Sequence, residues 1–108
     1  MSKSIAEIND QFRRYENRNL GRYVMTSGVR ALPLEKQAQL IALVKNFDSF
    51  TTGNDPYGER DFGKVVLDDE SFCWRIDYYA PDYRYGSEDP SNPEVTRRVM
   101  TIMQSSEY

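Results

Sequence analysis

The densest concentration of groups capable of chemistry is the run Asn54-Asp55-Pro56-Tyr57-Gly58-Glu59-Arg60-Asp61. Asp55, Glu59 and Asp61, joined by Asp77 further along, are the set that could converge on magnesium or calcium, which take oxygen ligands. A metal held there would activate water for hydrolysis. The spacing departs from an EF-hand loop, which needs acidic or amide groups at alternate positions, a glycine and a distant glutamate; Pro56 and Tyr57 interrupt the series. A nuclease-type site is missing its Glu-x-Lys on a neighbouring strand. The plainer reading is a turn whose Asp and Asn side chains bond the local backbone. No metal or cofactor is therefore assigned; Asp55, Glu59, Asp61 and Asp77 are the ligands if a metal binds.

A second concentration is Arg75-Ile76-Asp77-Tyr78-Tyr79 with Asp82, Tyr83, Arg84 and Tyr85. Tyrosine and arginine dominate the energetics of protein interfaces and also stack on bases. The same stretch is acidic, however, and phosphate binding draws its affinity from basic charge. A protein-binding surface is thus the stronger functional reading here, beside a purely structural one. Arg13, Arg14, Arg18 and Arg22 form the other basic strip, a candidate nucleic-acid contact or simply a solvated helix face. Cys73 sits beside Trp74 with no Lys or His flanking it, which reads as a structural thiol.

Composition narrows these options. The chain has 108 residues, no His and one Cys, so His-based triads, His metal sites and intramolecular disulfides are excluded. Any catalysis would fall to carboxylates and tyrosines. The aromatic content of 13% belongs to a folded chain, not a disordered one. The net charge of −3 conceals an uneven distribution. Residues 1–54 carry eight basic and five acidic groups, whereas residues 55–94 carry four and eleven. No apolar stretch is long enough to span a membrane, and the N-terminus lacks the layout of a secretion signal, so a cytoplasmic location is expected.

The elements that must position these groups follow from periodicity and capping. Ser4 and Glu7 make a capping box for a helix to about Arg18, with Ile5, Ile8, Phe12 and Tyr15 on one face. Arg22 to Thr26 reads as a strand, and Ser27-Gly28 ends it. Pro33 opens a helix to about Phe47 whose apolar residues cover more than half its circumference, the pattern of a central helix packed on a sheet. Asp61–Leu67 and Ser71–Tyr79 read as strands joined by Asp68-Asp69-Glu70, the second alternating aromatic and polar. Residues 80–92 form a loop. Asn92 and Pro93 then open a final helix with Val95, Val99, Ile102, Met103 and Ser106 inward. The expected fold is one two-layer α+β domain over residues 1–108. Its order is α-β-α-β-β-α, with a small, mostly antiparallel three-stranded sheet.

Several segments, taken in order, resemble a bacterial family catalogued as domain of unknown function 3768. They are Asn54-Asp55-Pro56, Gly58-Glu59, Asp61-Phe62-Gly63, Trp74, Ile76-Asp77-Tyr78-Tyr79, Gly86-Ser87, Asp89-Pro90, Thr96-Arg97-Arg98-Val99, Thr101-Ile102-Met103 and Glu107-Tyr108. The resemblance implies no activity and no catalytic residues. It implies a genomic setting on plasmids and other mobile elements, often near anti-restriction genes. The leading expectation is a non-enzymatic, cytoplasmic interaction protein, in its sharpest form an anti-restriction or anti-CRISPR-like factor that occludes a protein. The expected surface is Asp55, Glu59, Asp61, Arg75, Asp77, Tyr79 and Arg84, with the acidic middle steering toward a basic partner. A homodimer is compatible with this reading. The alternatives are a metal-dependent hydrolase on the four carboxylates and a nucleic-acid binder through the N-terminal arginines.

Overall fold

A computed structural model describes residues 3–108. Helix α1 (Ile5–Tyr15) starts at the capping box, Ser4 accepting from the Glu7 N–H while Glu7 accepts from the Ser4 N–H, both at 3.1 Å. It ends at Glu16, whose left-handed φ of 50° turns the chain away. Strand β1 (Gly21–Met25) follows, then a single helical turn α2 (Ser27–Arg30) where a plain break was expected. Pro33 precedes α3 (Leu34–Asn46). Strands β2 (Phe62–Leu67) and β3 (Glu70–Tyr79) form a hairpin whose turn is only Asp68-Asp69, both with positive φ (53° and 65°). That geometry is the two-residue turn whose twist matches paired strands.

The expected final helix is wrong. Arg97–Gln104 is strand β4, followed by a 3₁₀ turn at Ser105–Glu107. The spacing of Val95, Val99 and Ile102 satisfies a helix. But Thr96, Arg98, Met100 and Ile102 also alternate, and all four are buried, with Met103 the one buried residue of β4 outside that alternation. The segment's β-branched content fits the extended alternative. The consequence is topological. The sheet has four strands in the order β1-β4-β3-β2, with β1 parallel to β4 and the other pairs antiparallel. It is mixed, not the expected three-stranded antiparallel sheet, and the element order is α-β-α-α-β-β-β. The α+β class stands.

All three helices lie on one face. The core joins Phe12, Leu40 and Val44 of the helices to Val65, Phe72, Trp74, Ile76, Met100 and Ile102 of the sheet. Helix α3 is less central than expected: Leu40 and Val44 are buried, but Leu34 is 82% exposed and Leu43 also reaches solvent. Two glycines permit close approach. A Cβ on Gly21 would lie 1.8 Å from the Arg98 carbonyl oxygen, so β1 can sit at its distance from β4 only without one. A Cβ on Gly63 would press on the Trp74 ring at 2.6 Å.

Candidate functional site

Alternation along the strands decides which side chains are available. Phe72, Trp74, Ile76 and Tyr78 point to the helices, so Cys73, Arg75, Asp77 and Tyr79 point to the opposite face, away from α1, α2 and α3. Register places Arg22 and Val24 of β1, Arg97, Val99 and Thr101 of β4, and Phe62, Lys64 and Val66 of β2 on that same face. At one end Arg22 lies over the Tyr83 ring at 3.8 Å, and Tyr83 packs against Tyr79 with centroids 6.5 Å apart. At the other end Arg75 lies 5.7 Å over Tyr108, which meets Phe62 edge-on at 5.5 Å. Each pair holds a guanidinium against an aromatic ring.

The charge of this face is opposite to that of the stretch that supplies most of it. Arg22, Lys64, Arg75 and Arg97 stand against Asp77 alone, which pairs with Arg75 at 3.0 Å. The surplus carboxylates lie in loops and turns. Cys73 is buried on this side between Lys64 and Met103, and burial pushes its thiol up, as a structural cysteine requires.

The seven residues expected to form one surface are therefore divided. Arg75, Asp77 and Tyr79 share the open face. Arg84 is exposed in the loop after β3, where its N–H donates to Asp82 at 2.9 Å. Asp55, Glu59 and Asp61 belong to the loop before β2. There Asp55 accepts from the N–H groups of Glu59 and Arg60 at 3.1 Å, as a turn-forming carboxylate does. Glu59 accepts from the Tyr78 hydroxyl at 2.8 Å on the helix side of the sheet. Among the described residues no three acidic or sulfur side chains are grouped to hold a metal.

Asp61 is half-buried, and burial, then the charges of Glu59, Asp55 and Asp77, raise its pKa above the usual 3.8. A carboxyl whose folded pKa is raised costs stability once pH passes its unfolded value, in full above its folded value. Asp61→Asn is therefore expected to stabilise the fold at pH 7, by less than about 1 kcal/mol given solvent screening. The gain should vanish below pH 3.8. Urea denaturation at pH 7 and pH 3 checks this; a gain unchanged at pH 3 would refute it.

The N-terminal arginines do not form a strip either. Arg13, expected off the apolar face, is buried over Trp74 at 4.8 Å and donates to the Val44 and Lys45 carbonyls at 2.7 and 3.1 Å. These are last-turn carbonyls of α3, which welcome a cation. Arg14 donates to the Phe47 carbonyl at 3.3 Å and Arg18 lies over Tyr23, leaving Arg22 alone on the open face.

A buried polar network that no sequence motif signals joins the two long loops to the sheet. Arg98 donates from Nε to Asn9 at 2.6 Å and from Nη2 to the Pro90 carbonyl at 2.6 Å. Asn9 donates to the Tyr78 hydroxyl at 2.8 Å and the Glu59 carbonyl at 2.9 Å. The network ties α1, β3, β4 and both long loops together. Burial lowers the Arg98 pKa and raises that of Tyr78. Both groups face inward, so their task is to hold the loops and not to meet a ligand.

Together these features define a small α+β protein with a half-covered sheet, its loops fixed from within and its cation–aromatic face left open. Residues 25–107 match the family described as protein of unknown function (DUF3768), and the chain belongs to that family. No curated protein and no solved structure matches the chain. Among the described residues, no helix is long and apolar enough to cross a membrane.

Proposed function

We propose that this chain is a non-enzymatic interaction module that occludes a protein partner with the open face of its sheet. The observation that carries this reading is the sheet face that α1, α2 and α3 leave open, buried only at its Cys73–Met103 end, with its Arg22–Tyr83 and Arg75–Tyr108 pairs. Exposed aromatic–arginine clusters on a rigid sheet are the residue types and the geometry of interface anchors. A metal hydrolase is the weaker reading, because Asp55, Glu59 and Asp77 are each engaged with a donor of the chain itself. The charge of the face also changes the partner: the basic surface suggested by the acidic middle of the chain gives way to an acidic one, because the acidic groups lie mostly off the face. In its sharpest form the protein is a cytoplasmic anti-defence factor of a bacterial mobile element, blocking a host protein.

Affinity capture from a bacterial host lysate tests the reading with the wild type, Arg75→Glu and Tyr79→Ala. Both positions are outside the core, so the fold should survive, as circular dichroism would show. A specific partner should be recovered by the wild type and fall about tenfold or more with either variant, the loss of one interface anchor. Recovery no greater than from empty resin, or equal recovery by all three proteins, would remove the proposal.

A further inference from the structure

Strand β1 is an edge, bonded only to β4. The Arg98 N–H donates to Leu20 and the Thr26 N–H donates to Ile102, so the even-numbered residues of β1 face β4. The N–H and C=O groups of Gly21, Tyr23 and Met25 therefore point outward, and among the described residues none of them bonds another element. A cavity of about 190 Å³ lies alongside, between β1 and α3, lined by Met25, Ile41, Val44, Met100 and Ile102. Arg18, Glu16 and Lys45 also line it, and Glu16 pairs with Lys45 at 2.5 Å. A free strand edge beside an apolar slot and a helix is the geometry that accepts an added strand.

We propose that the partner engages β1 by strand addition, with an extended acidic segment pairing to the free edge. This rests on the reading that the chain binds a protein. Side chains of an added strand alternate between faces. Those on the helix side would enter the cavity and should be apolar. Those on the open side would lie beside Arg22 and should be acidic, continuing the cationic face. A second copy of this chain is the poorer occupant, since it would set Arg18 and Arg22 against their own copies.

The probe is a twelve-residue peptide of alternating glutamate and valine, followed by amide hydrogen exchange of the full chain. Exchange at Tyr23 and Met25 should slow by about tenfold or more at saturation, while Val24, already bonded to β4, should not change. The same peptide N-methylated at alternate residues, and a lysine–valine counterpart, should have no effect. Ile41→Glu, which places a charge in the cavity wall, should weaken the peptide about tenfold. No slowing with the glutamate peptide would overturn the proposal. So would equal slowing by the methylated peptide, the lysine peptide or oligo-dT, or a β1 edge already protected in a sedimenting dimer. If a partner is captured through Arg75 and Tyr79 while the edge amides ignore the peptide, strand addition fails and the interaction module stands.

Discussion

Arg98→Ala is expected to destabilise the protein by about 2–5 kcal/mol, the cost of leaving buried polar partners without their donor and opening a cavity. Arg98 is fully buried and supplies hydrogen bonds to Asn9 and the Pro90 carbonyl. Without it, the Asn9 carbonyl oxygen and the last loop before β4 lose their charged donor together. The guanidinium also faces the Tyr78 ring at 5.1 Å. Its burial is itself unfavourable, because among the described residues Nη1 has no partner and no carboxylate pairs with it directly. Arg98→Met, which refills much of the volume without a charge to bury, should therefore recover a substantial part of the loss. Urea denaturation of both variants and of Asn9→Ala measures this. Losses for Arg98→Ala and Asn9→Ala should be non-additive, since the residues share one network. An alanine variant within 1 kcal/mol of wild type would show that the network does not hold the loops.

The second large effect is expected at Trp74, with Trp74→Ala costing about 3–5 kcal/mol as a large aromatic removed from a packed core. The ring is fully buried at the centre of the sheet. It meets Phe47 and Phe50 edge-on at 5.8 and 6.1 Å, and the Arg13 guanidinium lies over it. Truncation thus opens a cavity and takes the aromatic face from a buried cation in one step. Gly63 is the other half of this site. Gly63→Ala should cost roughly 1–3 kcal/mol by overpacking, and less in a Trp74→Phe background where the smaller ring gives way. Because Trp74 is the chain's one tryptophan, its fluorescence follows the unfolding in every variant that retains it. Equal cost of Gly63→Ala in both backgrounds would show that the ring does not set the spacing of β2 and β3.

The local elements were legible because each carries its own signal. The Ser4–Glu7 box, Pro33 before α3 and the alternation of Phe72 to Tyr78 each state a start or a face within a few residues. The hairpin turn was placed correctly but read one residue too long, since acidic residues in left-handed geometry are less telling than Asn-Gly. The candidate site was legible only in part. Arg75, Asp77 and Tyr79 lie on one face of a recognised strand, and alternation alone keeps them together. Asp55, Glu59 and Asp61 were joined to them by charge and closeness in sequence, which do not fix direction. Arg22 and Val24 could have been added by extending the same alternation to β1. Arg97 could not, because its strand had been read as a helix.

By itself the sequence determined the α+β class, two helices, three of the four strands, and the absence of histidine chemistry. Those features depend on spacing within one segment and on residue identity. The tertiary structure alone decided that residues 97–104 are extended, because the segment satisfies both periods and only a position between β1 and β3 selects one. It alone placed Arg13 and Arg98 in the interior, where partners on α3, on α1 and in the loop before β4 accept hydrogen bonds from guanidinium groups that the sequence assigns to solvent. It also reversed the charge of the candidate face. Net charge along a segment does not record which side of a strand each residue takes: the turn and loops carry most of the acid, while the open face holds Arg22, Lys64, Arg75 and Arg97 against Asp77.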